Sequence, residues 1–121
     1  MSFRLILVAL ILSVSVACSS SSPTTSPSPI TGSSVSASIV AGSSTLTTTA
    51  YSPNPVTVPV GGSVTWTNND STAHTSTADG ATWSSGSIAP GATFMATFPT
   101  AGTFRYHCMI HPGMVGTVTV Q

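Results

Sequence analysis

The stretch Tyr106-His107-Cys108-Met109-Ile110-His111-Pro112-Gly113-Met114 places three metal-binding side chains at regular intervals. Two residues separate the Cys108 thiol from the His111 imidazole, and two more separate that imidazole from the Met114 thioether. Sulfur ligands favour copper, and imidazole also suits it. A trigonal copper site with two histidines, a cysteine and a weak axial thioether needs one further imidazole. His74 is the only histidine outside this stretch, so the sequence predicts a copper site made of His74, Cys108, His111 and Met114.

Each of these four residues also has an ordinary structural explanation when it is taken alone. Cys108 can be a small buried residue and Met114 can fill a core. His74 and His111 can be surface histidines in loops. The occurrence of all four together, in this order, favours the metal site.

The charge composition narrows the possible functions. Charged residues make up 3% of the 121-residue chain, with two basic and two acidic side chains. Nucleic-acid binding requires several cations on one face to neutralise phosphates, so we expect no nucleic-acid partner. We also expect no pair of carboxylates for acid–base catalysis. The length leaves room for one domain.

The N-terminus is typical of a targeting segment. A short positive start precedes an apolar run that ends near Val16 and is too short for a comfortable membrane span, which predicts a signal peptide over residues 1–17. Cys18 and the serines after it resemble a bacterial lipoprotein signal, in which Cys18 becomes the lipidated first residue. Ser15 stands where that signal usually has leucine. Ordinary secretion, with cleavage after Ala17 or further on, is the alternative.

The two cysteines and the segment between signal and domain extend this prediction. A Cys18–Cys108 disulfide is one alternative for an exported protein. If Cys18 is lipidated, Cys108 is a lone exported thiol that needs a metal or burial to protect it. Residues 18–34 are rich in serine, threonine and proline and predict a flexible tether. We expect an exported protein on the periplasmic or extracellular face, tethered to the membrane by Cys18.

Residues 35–121 are predicted to form the folded domain. Apolar and polar residues alternate there, and no window of this part has the periodicity of a helix. Short strands at close spacing indicate an all-β, antiparallel sandwich. The predicted strands cover residues 36–40, 45–51, 56–60, 64–67, 94–98, 104–108 and 116–120.

The alternation of apolar and polar residues over 104–108 assigns their side chains to two faces of a strand. Phe104, Tyr106 and Cys108 share the inward face, which places the thiol at the end of the core. Arg105 and His107 point outward. His107 is therefore interpreted as a solvent-facing or packing histidine rather than a ligand.

Several segments between residues 51 and 120 match one family in the same order. They are Tyr51-Ser52-Pro53, Val60 to Asn68, Thr72-Ala73-His74, Gly86 to Phe98, and Ala101 to Cys108, where Cys108 is the first residue of the motif Cys-x-x-His-x-x-Met. Together they resemble a cupredoxin, close to amicyanin and pseudoazurin and somewhat further from plastocyanin. The short spacing of the last motif is similar to that of amicyanin. One departure is Thr75, which stands where the family often has an asparagine that holds the metal loop; a hydroxyl can keep this role because it both donates and accepts.

The resemblance implies a Greek-key β-sandwich and a function. A type 1 blue copper protein of this kind shuttles single electrons between redox partners outside the cytoplasm and is not an enzyme. His111 would reach the surface through an apolar patch formed with Met109, Ile110 and Pro112, where redox protein partners would dock. One copper ion would alternate between Cu(II) and Cu(I), and we expect a monomer.

Two other functions are compatible with a copper site. The first is copper binding and delivery by an extracytoplasmic lipoprotein, which would more often use methionine-rich or open histidine sites. The second is a mononuclear copper oxidase or reductase. An enzyme of that kind needs an open coordination position, whereas this sequence offers four ligands.

Overall fold

The computed structural model describes residues 32–121, which contain eight β-strands and one short 3₁₀ helix. The strands are β1 (Ser34–Ile39), β2 (Tyr51–Ser52), β3 (Val56–Val58), β4 (Ser63–Asn68), β5 (Thr77–Ala78), β6 (Thr93–Thr97), β7 (Gly102–His107) and β8 (Val115–Val120), and the 3₁₀ helix is Ser43–Thr45. The predicted signal peptide, residues 1–17, and most of the predicted tether, residues 18–34, lie outside the described residues. Within residues 32–121, no helix is long and apolar enough to cross a membrane.

The strands form two four-stranded sheets, in the orders β2-β1-β4-β6 and β3-β8-β7-β5. This arrangement confirms the predicted β-sandwich. The sheets are mixed rather than purely antiparallel, because β1 runs parallel to β4 and β3 runs parallel to β8. Alternation in a sequence reports which face of a strand is buried and carries no information about the direction of the neighbouring strand. The antiparallel part of the prediction therefore needed this correction.

The core lies between the sheets and is centred on Trp66. Alternate residues of β4 and β8 are buried, as the period of two requires. The Trp66 ring is fully buried and lies 5.5 to 5.9 Å, between centroids, from the rings of Trp83, Phe94 and Tyr106. Its Nε1–H donates to the Tyr106 hydroxyl at 3.2 Å. This packing fixes β7, which leads directly into the metal-binding stretch.

The strand predicted over residues 45–51 was wrong. The structure has the 3₁₀ helix and turns there, and only Tyr51–Ser52 pairs as a strand. Gly42 has a φ of 73°, a left-handed conformation that glycine adopts readily. The Asp70 carboxylate accepts the Gly42 N–H at 3.0 Å. Within the segment, the Leu46 and Ala50 N–H groups donate to the Ser43 and Thr47 carbonyls at 2.9 and 3.3 Å, which are turn contacts rather than strand pairing.

The topology brings two loops together at one end of the sandwich. β7 and β8 form an antiparallel pair that ends at His107 opposite Val115, so residues 108–114 form the loop between them. β5 pairs with the same end of β7, through Thr77 opposite His107. The loop between β4 and β5, which contains His74, is therefore held beside residues 108–114.

Candidate metal centre

Cys108 follows the last residue of β7 and is fully buried, as the alternation predicted. Its N–H donates to the Met114 carbonyl at 3.1 Å, and the Met114 N–H donates to the His111 carbonyl at 2.9 Å. These two hydrogen bonds close residues 108–114 into a compact loop. Among the described residues, Cys108 is the one free cysteine.

The structure brings together three of the four predicted ligands. The Cys108 Sγ lies 3.8 Å from the His74 Nδ1 and 3.9 Å from the His111 Nδ1. The two Nδ1 atoms are 3.2 Å apart. His74 is fully buried and His111 is half-buried. The thiol and both imidazoles therefore converge on one point that only His111 leaves open to the surface.

These separations fit a metal ion held at the centre of the three atoms. For Zn²⁺, bond lengths of about 2.3 Å to sulfur and about 2.0–2.1 Å to nitrogen would place donors of a trigonal site roughly 3.8 Å and 3.6 Å apart. The observed sulfur–nitrogen separations agree with this, and the nitrogen–nitrogen separation is slightly shorter. One thiolate with two imidazoles is also the donor set that suits copper.

Met114, the fourth predicted ligand, is fully buried and packs in the same core cluster as Cys108. Its backbone carbonyl accepts from Cys108 at the other end of the loop, and its N–H donates to the carbonyl of His111 within the loop. The axial role of its sulfur stays a prediction.

Thr75 holds the Cys108 loop to the His74 loop. Its backbone N–H donates to the Cys108 Sγ at 3.3 Å, and its Oγ1 accepts the Met109 N–H at 2.9 Å. The hydroxyl thus makes the loop-holding contact that the resemblance assigns to asparagine. Tyr51 supports the same residue, because its hydroxyl donates to the Thr75 carbonyl at 2.6 Å. Burial, followed by the nearby Cys108, raises the pKa of Tyr51 above its ordinary value, so it remains a donor.

His107 lies outside the cluster, on the outward face that the alternation predicted. Its side chain is one-third exposed, and its Nδ1 lies 2.6 Å from the Oδ1 of Asp79. The side chain of His107 therefore takes no part in the cluster of metal-binding atoms, which belong to His74, Cys108 and His111.

Sequence reasoning missed Asp70, which contacts the centre through His74. The Asp70 Oδ2 lies 2.8 Å from the His74 Nε2, and its side chain is only 7% exposed. The Gly42 N–H, the His74 ring and the Ser71 N–H, in that order, hold the pKa of the Asp70 carboxyl well below its ordinary value of 3.8. A usable signal was present, since Asp70 is one of only two acidic residues and lies four positions before a predicted ligand.

Comparison with known proteins gives consistent results. A family model described as a cupredoxin-like domain matches residues 7–120. Plastocyanin from Scenedesmus fuscus is 38% identical over 84 residues, which cover 59% of this chain and 86% of the relative.

Two solved structures extend the similarity to the fold. A purple cupredoxin from Nitrosopumilus maritimus superposes with a TM-score of 0.67 at 33% identity, over 72% of this chain and 99% of that one. A variant of amicyanin with Cu(I) has a TM-score of 0.61 at 26% identity, over 73% of this chain and 82% of that one.

The family and the donor cluster agree on the metal. Cupredoxin-like sequence covers nearly the whole chain, and inside that fold His74, Cys108 and His111 offer one sulfur and two nitrogens within 4.8 Å of one another. Both observations point to copper. The chain belongs to the cupredoxin-like domain family.

Proposed function

We propose that this protein is a type 1 blue copper electron carrier. The observation that carries the proposal is the convergence of the Cys108 Sγ with the Nδ1 atoms of His74 and His111, at separations of 3.2 to 3.9 Å. Reconstitution with one equivalent of Cu(II) tests it. We expect an intense visible thiolate-to-copper band and a reversible one-electron wave in voltammetry. A colourless copper complex would contradict the proposal and would favour copper binding and delivery instead.

Copper, when bound, supplies a one-electron couple between Cu(II) and Cu(I). The protein holds its donors in a nearly closed pocket whose loops are fixed by hydrogen bonds. Thr75 joins the two loops, and the Cys108 N–H to Met114 carbonyl bond closes the second loop. Donors that are held in this way move little when the charge on the metal changes. We infer that the protein acts as a carrier rather than an enzyme, because the four proposed ligands would leave no open position for a substrate.

His111 is the proposed route for the electron, because it is the donor that reaches the surface. It is half-buried, whereas its neighbours Met109 and Ile110 are 63% and 49% exposed. Pro112 is exposed as well. We call these four residues the His111 patch. Redox protein partners are proposed to dock on it through brief apolar contacts, since electron-transfer encounters use small interfaces.

Electron self-exchange between reduced and oxidised copies tests the His111 patch without a partner protein. Residues 18–121, which remain after removal of the predicted signal peptide, contain one basic and two acidic side chains, so we expect the wild-type rate to depend little on ionic strength. Ile110→Asp places like charges face to face in the encounter and should lower the rate on the order of tenfold at low salt. The rate is measured from NMR line broadening in mixtures of the two redox states.

Met95→Asp is the matched control for this prediction. Met95 is 60% exposed but lies in β6 of the other sheet, so the same change in charge should have little effect there. Equal slowing in both variants would show that the His111 patch is not the contact surface.

Met114 is proposed as the axial copper ligand. We expect Met114→Leu to keep copper and the visible band but to raise the reduction potential, because a weak donor that favours Cu(II) has been removed. Voltammetry measures the change, and Met109→Leu, which alters an exposed methionine of the same loop, serves as the control. An unchanged potential in Met114→Leu would contradict the axial role.

The site of action is proposed to be the extracytoplasmic face of a membrane. The support is sequence alone, namely the apolar run that ends before Cys18 and the Ser/Thr/Pro-rich residues 18–34. Mass spectrometry of protein purified from its native membranes should find a diacylglycerol-modified Cys18 at the mature N-terminus. An unmodified N-terminus beyond Ala17 would exclude the lipid anchor and leave ordinary export.

A further inference from the structure

The two nitrogens of the His74 ring face different chemical surroundings. Nδ1 faces the Cys108 Sγ and the His111 Nδ1. Nε2 faces away from the cluster, toward the Asp70 Oδ2 at 2.8 Å, with two hydroxyls also within 3.1 Å. A neutral imidazole carries its proton on one nitrogen, and only the other nitrogen can bind a metal. The position of this proton therefore decides whether His74 can act as a ligand.

The surroundings of Asp70 determine what the carboxylate can offer to His74. The N–H groups of Gly42 and Ser71 donate to Oδ1, at 3.0 and 2.8 Å. The hydroxyls of Ser43 and Thr72 donate to Oδ2, at 3.1 and 3.3 Å. Because four donors surround it, the carboxylate acts purely as an acceptor. The hydrogen between Oδ2 and Nε2 must then belong to the imidazole.

We propose that Asp70 is a positioning residue of the copper site: by accepting the Nε2–H of His74, it fixes the tautomer whose Nδ1 lone pair points at Cys108. This inference rests on the proposed copper function and adds a residue that acts through a ligand. It also explains why a buried carboxylate occurs in a chain with so few charges. Partners of this kind orient a metal-bound histidine and increase its basicity.

Asp70→Asn replaces one of the two acceptor oxygens by an NH₂ donor, with almost no change in the shape of the side chain. The two backbone N–H groups at Oδ1 require the amide oxygen there, because the alternative rotamer would set an NH₂ group against two donors. The NH₂ group must then occupy the Oδ2 position and face Nε2. A donor at that place favours an unprotonated Nε2, which moves the ring proton to Nδ1, where it competes with copper.

The direct test is the tautomer of His74 in copper-free protein at neutral pH, read from ¹⁵N–¹H correlation spectra of the imidazole rings. We expect the wild type to carry the proton on Nε2 and Asp70→Asn to carry it on Nδ1. In the copper-loaded proteins, we expect Asp70→Asn to bind Cu(I) about 10- to 100-fold more weakly, measured by competition with a chelator. Its reduction potential should be higher, because a negative charge that favours Cu(II) has been removed.

Two further variants separate this role from a merely structural one. Asp79→Asn removes the other carboxylate, which contacts the surface residue His107, and should leave the His74 tautomer, the affinity and the potential unchanged. Ser43→Ala removes a hydroxyl neighbour of Nε2 but keeps the carboxylate, so it should retain the wild-type tautomer.

Specific outcomes would overturn the inference. A wild-type His74 with the proton on Nδ1, or distributed over both nitrogens, excludes it, and this measurement needs no variant that might fail to fold. If Asp70→Asn folds, an unchanged affinity and potential also excludes it. If wild-type protein instead gives no blue copper complex, the proposed function fails, while the tautomer measurement still shows whether Asp70 fixes the His74 ring.

Discussion

Cys108→Ser is expected to abolish the intense visible band of the copper-loaded protein and to leave the sandwich folded. The band requires a thiolate bound to Cu(II), and a serine hydroxyl cannot supply one. The fold should persist because the hydroxyl can still accept the Thr75 N–H that Cys108 accepts at 3.3 Å in the wild type. Visible absorption during a copper titration measures the loss, and far-UV circular dichroism monitors the fold.

Cys18→Ser is the matched control, because it removes the other cysteine of the sequence. The band should be unchanged in this variant. A Cys108→Ser protein that stays blue would remove Cys108 from the copper site and would require another sulfur as the ligand.

The second large effect is expected from Gly116→Ala in β8. A methyl group at this position would lie well inside contact distance of the Tyr106 ring, whose Cε1 would be only 2.7 Å away. The ring has little room to move, because Tyr106 is 1% exposed and packs against Tyr51 and Trp66. Overpacking of this kind typically costs about 1–3 kcal/mol, and occasionally more. We expect a loss of at least about 2 kcal/mol in the free energy of unfolding, measured by chemical denaturation.

Gly80→Ala is the control for this substitution. The added methyl group meets no atom within 4 Å there, and Gly80 does not have a positive φ. Its free energy of unfolding should change by less than about 0.5 kcal/mol, as for other surface substitutions. Equal stability of the wild type and Gly116→Ala would show that Tyr106 can repack, and that the contact between β7 and β8 is looser than the structure indicates.

The ligand set could be read from the sequence because its chemistry is local. Cys108, His111 and Met114 lie in one short loop, so their spacing alone limits how far apart they can lie. His74 is 34 residues away from Cys108, and it was identified because the chain has only three histidines. A chain with more histidines would have left several candidates for this position.

The prediction over residues 45–51 shows why other features could not be read in this way. The residues there are mostly threonine, which favours strands, and the sequence pattern contains no sign of a remote partner. In the structure the segment turns, because the Leu46 and Ala50 N–H groups donate to the Ser43 and Thr47 carbonyls. The Thr47 carbonyl also accepts the N–H of Val115 in β8 at 3.3 Å, a long-range contact that the local pattern does not reveal. The parallel pairing of β1 with β4 could not be predicted from the local pattern either, because the relative direction of two strands depends on the path of the chain between them.

The sequence by itself determined the β-sandwich, the inward face of β7 and the donor types of the centre. Side-chain alternation and short-loop spacing follow from the covalent geometry of the chain, which is the same before and after folding. Only the tertiary structure decided which His74 nitrogen faces the cluster and that Asp70 holds the other one. The direction of a ring depends on packing and hydrogen bonds from several loops at once, and these exist only when the two sheets have come together.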